Sequence, residues 1–106
     1  MGLFSFLAGP DINQGIRQYE DTNNAILLDV RTPEEYKNGH ISESVNLPLQ
    51  NISEAEKRLT DKKAPLFVYC LSGARSRQAV SALTAMGYEA VTNIGGISSY
   101  RGKVVK

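Results

Sequence analysis

Cysteine occurs once in the 106 residues, at Cys70, and histidine once, at His40. A single thiol excludes an intrachain disulfide, a CxxC redox pair and a multi-cysteine zinc site, and it fits a reducing, cytosolic setting. Charge of neither sign is in excess: twelve Lys and Arg face eleven Asp and Glu, for a formal net charge of +1. Nothing global therefore points to nucleic acid or an anionic membrane as partner, and the five tyrosines show no spacing that suggests stacked bases. Repeats and low-complexity linkers are absent as well, which leaves one domain of a size able to bury its core without disulfides or metals. No metal or other cofactor is expected. Long apolar runs are missing too. Met1–Ala8 is apolar but far too short to span a bilayer, lacks a basic leading segment and is soon ended by Pro10 and Asp11. Phe6 stands where a myristoylation signal wants Ser or Thr. Residues 1–10 are read as an apolar arm or first strand and 11–106 as the domain, a cytoplasmic monomer or weak dimer with no transmembrane segment.

What is present is an alternation of buried-strand and amphipathic-helix patterns. Asp11 and Gln14 mark a helix start, and Ile12, Ile16 and Tyr19 share one face of a helix spanning about 11–21, weakened by Gly15. Ala25–Val30 is a nearly continuous apolar run, interrupted by Asp29 near its end, as in a strand covered on both faces. Thr32-Pro33-Glu34-Glu35 combines a capping hydroxyl, proline at the first helical position and a glutamate three residues after the cap. Val45–Pro48 reads as a brief strand, and Ile52, Ala55 and Leu59 as the inner face of a helix over 51–60. Leu66–Cys70 is a second buried strand, followed by a helix with Ala79, Ala82, Leu83 and Met86 on one face and Gly87 at its stop. Glu89–Thr92 reads as a short strand, and a last helical turn carries Ile97 and Tyr100. Strands alternating with helices predict an α/β domain, a parallel sheet with helices on both faces.

In such sheets ligands bind beyond the carboxyl ends of the strands, where Asp29 and Cys70 both fall. The segment after Cys70 leads directly into a helix, so its N–H groups and the positive end of the helix dipole converge on whatever the sulfur carries. Gly73 lets that segment curl. Leu71, Ser72, Gly73, Ala74, Arg75 and Ser76 therefore form a candidate anion cradle that favours thiolate over thiol. Arg75, with Arg31 and Arg77 as further candidates, adds charge-assisted contacts to an anionic substrate.

Leu28-Asp29-Val30-Arg31-Thr32-Pro33-Glu34-Glu35-Tyr36, with Gly39-His40-Ile41 and Asn46-Leu47-Pro48, resembles the first half of a rhodanese domain. Cys70–Ser76 resembles its active-site loop, and Gly95-Gly96 with Tyr100 its closing motif. The resemblance implies a single rhodanese-like domain with a central parallel sheet of about five strands. It also implies a persulfide on Cys70, loop amides that hold the substrate, and sulfur transfer from thiosulfate or another persulfide. The donor expected is thus a small anion and the acceptor an external thiol or protein, since no second cysteine can resolve the persulfide. Rhodanese domains resemble dual-specificity phosphatases, which place five residues between cysteine and arginine. Here four separate Cys70 from Arg75, a tighter loop that suits sulfur better than a phosphoryl group. A rival from another class is a non-catalytic interaction or sulfur-relay module. His40 is assigned to ordering its loop, and Asp29 with Arg31 to shaping the site.

Overall fold

The structure, a computed structural model, describes residues 9–106; the apolar arm read over Met1–Ala8 lies outside them. In chain order the elements are helix α1 (Ile12–Glu20), strand β1 (Ile26–Asp29), helix α2 (Pro33–Lys37), strands β2 (His40–Ile41) and β3 (Val45–Asn46), a 3₁₀ segment (Leu49–Glu54), and helix α3 (Ala55–Arg58). Strand β4 (Leu66–Cys70), helix α4 (Ala74–Ala85), strand β5 (Val91–Gly96), a 3₁₀ turn (Ile97–Ser99) and strand β6 (Val104–Val105) complete the chain. β3, β1, β4 and β5 lie side by side in that order, all parallel.

Side-chain alternation along the strands divides the interior in two. Leu28, Leu66, Val68 and Cys70 face one way and pack with Ala79 and Leu83 of α4 and Ala55 and Leu59 around α3. Leu27, Phe67, Tyr69 and Ile94 face the other way, against Ile12 and Ile16 of α1. All five residues of β4 are buried, as expected of a central parallel strand covered on both faces. Gly15 is where α1 comes closest to the sheet: a Cβ there would collide with the side chain of Ile94. The residue that weakens the helix intrinsically is thus the one that lets it dock.

The local start signals are realised in detail. Asp11 caps α1 by accepting the Asn13 N–H at 3.0 Å. Thr32 Oγ1 accepts the Glu35 N–H at 3.2 Å while Glu35 Oε1 accepts the Thr32 N–H at 3.0 Å, closing a capping box.

Four expectations are corrected. The central sheet has four strands among the described residues, not about five; β2 and β6 pair antiparallel in a separate two-stranded ribbon. The helix read over 51–60 is split: it is 3₁₀ through Glu54, with Asn51 outside helical geometry at φ −113°, and only Ala55–Arg58 is α-helical. The strand read over 89–92 starts at Val91 and continues to Gly96, through a register shift opposite Val68 and Tyr69 that Gly95 accommodates at φ +103°. Tyr100 follows the last turn in extended geometry, outside it. No helix among the described residues is long and apolar enough to cross a membrane.

Candidate active site

Cys70 is the last residue of β4 and is 1% exposed. Three residues later Gly73 adopts φ +106°, a conformation that side chains disfavour, and turns the chain into α4. No side chain of the preceding loop caps this helix. The sulfur does so instead: Cys70 Sγ accepts N–H bonds from Gly73 at 3.0 Å and from Ser76 at 3.3 Å. Ser76 is the third residue of α4, the position whose amide a capping oxygen ordinarily takes. Electron density on the sulfur is thereby rewarded by the helix terminus and its dipole.

The loop is fixed from beneath. A Cβ on Gly96 would drive into the carbonyl oxygen of Leu71 and the Cα of Ser72, so the end of β5 serves as a floor that no side chain can occupy. Ser76, fully buried, has its Oγ 3.4 Å from the Cys70 sulfur, 2.7 Å from Asn93 Oδ1 and 3.0 Å from the Gly73 carbonyl oxygen. Asn93 Oδ1 also accepts the Gly95 N–H at 2.9 Å, which ties the loop to β5.

Burial pushes the Cys70 thiol up, but the Ser76 hydroxyl and the N–H groups of Ser76, Gly73 and Ser72 together outweigh it, so its pKa lies below the ordinary 9.0. A lowered pKa keeps thiolate available as pH falls, until pH passes below that value. Alkylation of Cys70, the only cysteine, should therefore show a midpoint below 9.0, and Ser76→Ala should move it upward. Iodoacetamide rates measured against pH test this; an unmoved midpoint in the variant removes the hydroxyl from the cradle.

Of the predicted loop residues Leu71 to Ser76, Gly73 and Ser76 donate N–H bonds to the Cys70 sulfur, and Ala74, Arg75 and Ser76 are already helical. Arg75 was read as a surface-loop group reaching for substrate. It sits instead in the first turn of α4, with Nη1 donating to Glu35 Oε1 at 2.7 Å and Nη2 to Glu35 Oε2 at 3.0 Å. Asp29 and Arg31 meet each other and make no hydrogen bond to Cys70. Arg31 Nε and Nη2 donate to the Asp29 carboxylate, the shortest contact 2.8 Å, and Nη2 also donates to the Gly39 carbonyl at 2.7 Å. Arg77 is exposed and lines a shallow cleft on the outer side of the loop with Ser72, Gly73 and Asn93. His40 stacks on Tyr36 with centroids 3.7 Å apart, and its Nδ1 lies 2.8 Å from the Tyr36 carbonyl. Glu35 and Asn93 escaped the sequence-based site list: Glu35 was visible only as a helix-start residue, and Asn93 carried no signal.

The rhodanese-like domain model matches residues 13–103. The thiosulfate sulfurtransferase PspE of Escherichia coli (strain K12) is 39% identical over 71 residues, covering 66% of this chain and 68% of that protein. A sulfurtransferase of Allochromatium vinosum is 38% identical over 81 residues, covering 76% and 75%. Among solved structures, a rhodanese with anions from E. coli superposes with a TM-score of 0.71 at 36% identity, covering 77% of this chain and 98% of that one. A match that runs from residue 13 to residue 103 makes the chain a member of the rhodanese-like family.

Proposed function

We propose that the chain is a sulfurtransferase that moves a sulfane sulfur from thiosulfate or a persulfide donor to a thiophilic acceptor through a persulfide on Cys70. The observation that carries the reading is the sulfur of Cys70 acting as the cap of α4, with two N–H bonds to it. In the first displacement the Cys70 thiolate attacks the outer sulfur of thiosulfate, the donor S–S bond breaks, and sulfite departs with the electron pair. In the second, an acceptor nucleophile takes the outer sulfur and returns the thiolate. Sulfite is a stable anion and needs no proton to leave, so fixed N–H dipoles suffice where an acyl-transfer enzyme would need a histidine acid.

Pairing of Arg75 with Glu35 supports sulfur over phosphate, because a guanidinium already held bidentately is a poor phosphate clamp. An interaction module that carries no sulfur has no need of a cradled thiolate. The acceptor is cyanide in an assay and a thiol or protein in the cell. The lone thiol supports a reducing compartment such as the cytoplasm, and residues 11–106 are taken as the unit that performs the transfer, as a monomer or weak dimer.

Incubation with thiosulfate followed by intact mass measurement should reveal one added sulfur atom, discharged as thiocyanate when cyanide is supplied. A protein that gains no sulfur and yields no thiocyanate is not a sulfurtransferase. Hydrolysis of an aryl phosphate that depends on Cys70 would point to the phosphatase reading instead.

A further inference from the structure

Of the two arginines that follow Cys70 in the active-site segment, Arg77 is exposed and Arg75 is closed in a pair. Arg75 is bound bidentately by Glu35, and both side chains are about one-third exposed, at 32% and 31%. Glu35 Oε1, which accepts from Arg75 Nη1, also accepts from the Thr32 N–H at 3.0 Å and the Thr32 hydroxyl at 3.1 Å. The carboxylate is thus fixed between the start of α2 and the start of α4. It remains ionised, since the Arg75 guanidinium foremost, and then the Thr32 contacts, hold it at about 2 despite partial burial. Arg75 lines a cleft of about 210 Å³ together with Val30, Thr32, Pro48 and Leu49, and Val30 packs in the same apolar cluster as Cys70. The Asp29–Arg31 pair nearby is likewise closed on itself. The ionic side chains paired at the start of α4 therefore sum to zero, although one of them is an arginine in the active-site segment.

We propose that Glu35 is a specificity-determining residue: by holding the Arg75 guanidinium it cancels that charge near Cys70 and leaves only the exposed Arg77 in the segment, which favours singly charged donors, such as organic persulfides and thiosulfonates, relative to the thiosulfate dianion. The assignment rests on the sulfurtransferase reading above. Each donor reacts in the same balanced step. The Cys70 thiolate forms a bond to the donor's outer sulfur, the donor S–S bond breaks, and the electron pair leaves on thiolate from a persulfide, on sulfinate from a thiosulfonate and on sulfite from thiosulfate. No proton and no outside oxidant or reductant is required.

The test compares the wild type with Glu35→Gln, Arg75→Ala and the double variant, using thiosulfate and benzenethiosulfonate as donors. The readout is kcat/KM for loading of Cys70, followed by mass. Glutamine keeps the acceptor that the capping box needs, so Glu35→Gln alters charge with little change to the start of α2. Relative to the wild type, Glu35→Gln adds one positive charge, Arg75→Ala removes one, and the double variant restores the sum. Glu35→Gln should load from thiosulfate roughly fivefold faster and from the monoanionic thiosulfonate roughly twofold faster, because a Coulomb interaction scales with donor charge. Arg75→Ala should shift both in the opposite direction, with the double variant between the singles, and added salt should compress the differences. Equal factors for the two donors, or no gain in Glu35→Gln, overturn the assignment while leaving sulfur transfer intact. A wild type that loads from neither donor fails the sulfurtransferase reading and takes the assignment with it.

Discussion

Cys70→Ser is expected to take no sulfur from thiosulfate and to release no thiocyanate with cyanide, a fall of roughly 10⁴-fold or more, as for loss of a covalent nucleophile. The hydroxyl that replaces the thiol is scarcely ionised at neutral pH and cannot carry the sulfane sulfur. Its surroundings also fit oxygen less well than sulfur, since the N–H groups of Gly73 and Ser76 stand 3.0 and 3.3 Å from Sγ, and a shorter C–O bond draws the acceptor away from them. The fold should survive, because serine offers a capping oxygen to the same amides and the change amounts to about 1 kcal/mol of altered hydrogen bonding. Circular dichroism and intact mass on the same sample separate the two effects. Sulfur gain by the variant, at any stoichiometry near one, would remove Cys70 from the reaction.

The second large effect is on stability. Arg31→Leu should destabilise the domain by about 3–5 kcal/mol, the cost of leaving one member of a buried ion pair without the other. Asp29 is 0% exposed and receives the guanidinium through Nε and Nη2. With Arg31 gone it keeps only the backbone N–H of residue 31 at 2.9 Å, and the carbonyl of Gly39 loses its donor. Against a typical total of about 5–15 kcal/mol, a loss of that size brings the protein near its unfolding midpoint. Replacing both residues by leucine should recover much of it, since an apolar pair of similar volume leaves no charge stranded. Urea titrations of the three proteins decide the matter. A cost below about 1 kcal/mol for the single variant, outside the range seen when buried pairs are broken, would mean that the Asp29 carboxylate finds another partner.

These two cases also mark how far the sequence could be read. β4 and the Thr32–Glu35 helix start depend on neighbouring residues, and both patterns survive intact in the structure. The cradle was legible because β4, Gly73 and α4 are contiguous, so the geometry of the sulfur follows from one short segment. The partner of Arg75 was not, because Glu35 lies 40 residues away and reaches it only once the β1 and β4 strands are paired. Asn93 has the same character, touching Ser76 from 17 residues further on. The ends of β5 were misjudged for a local reason: Asn93, Gly95 and Gly96 look like turn residues, while pairing with β4 across a register shift keeps them extended. β2 and β6, two residues each, are too short to carry any periodicity and exist only as a pair.

The burial of Cys70 has a consequence for traffic between partners. At 1% exposure the sulfur presents little surface, so a small reagent has to enter the cradle to reach it. On the proposed reading, loading would add a second sulfur about 2 Å beyond the first, so the atom that an acceptor must touch would exist only on molecules that have cargo.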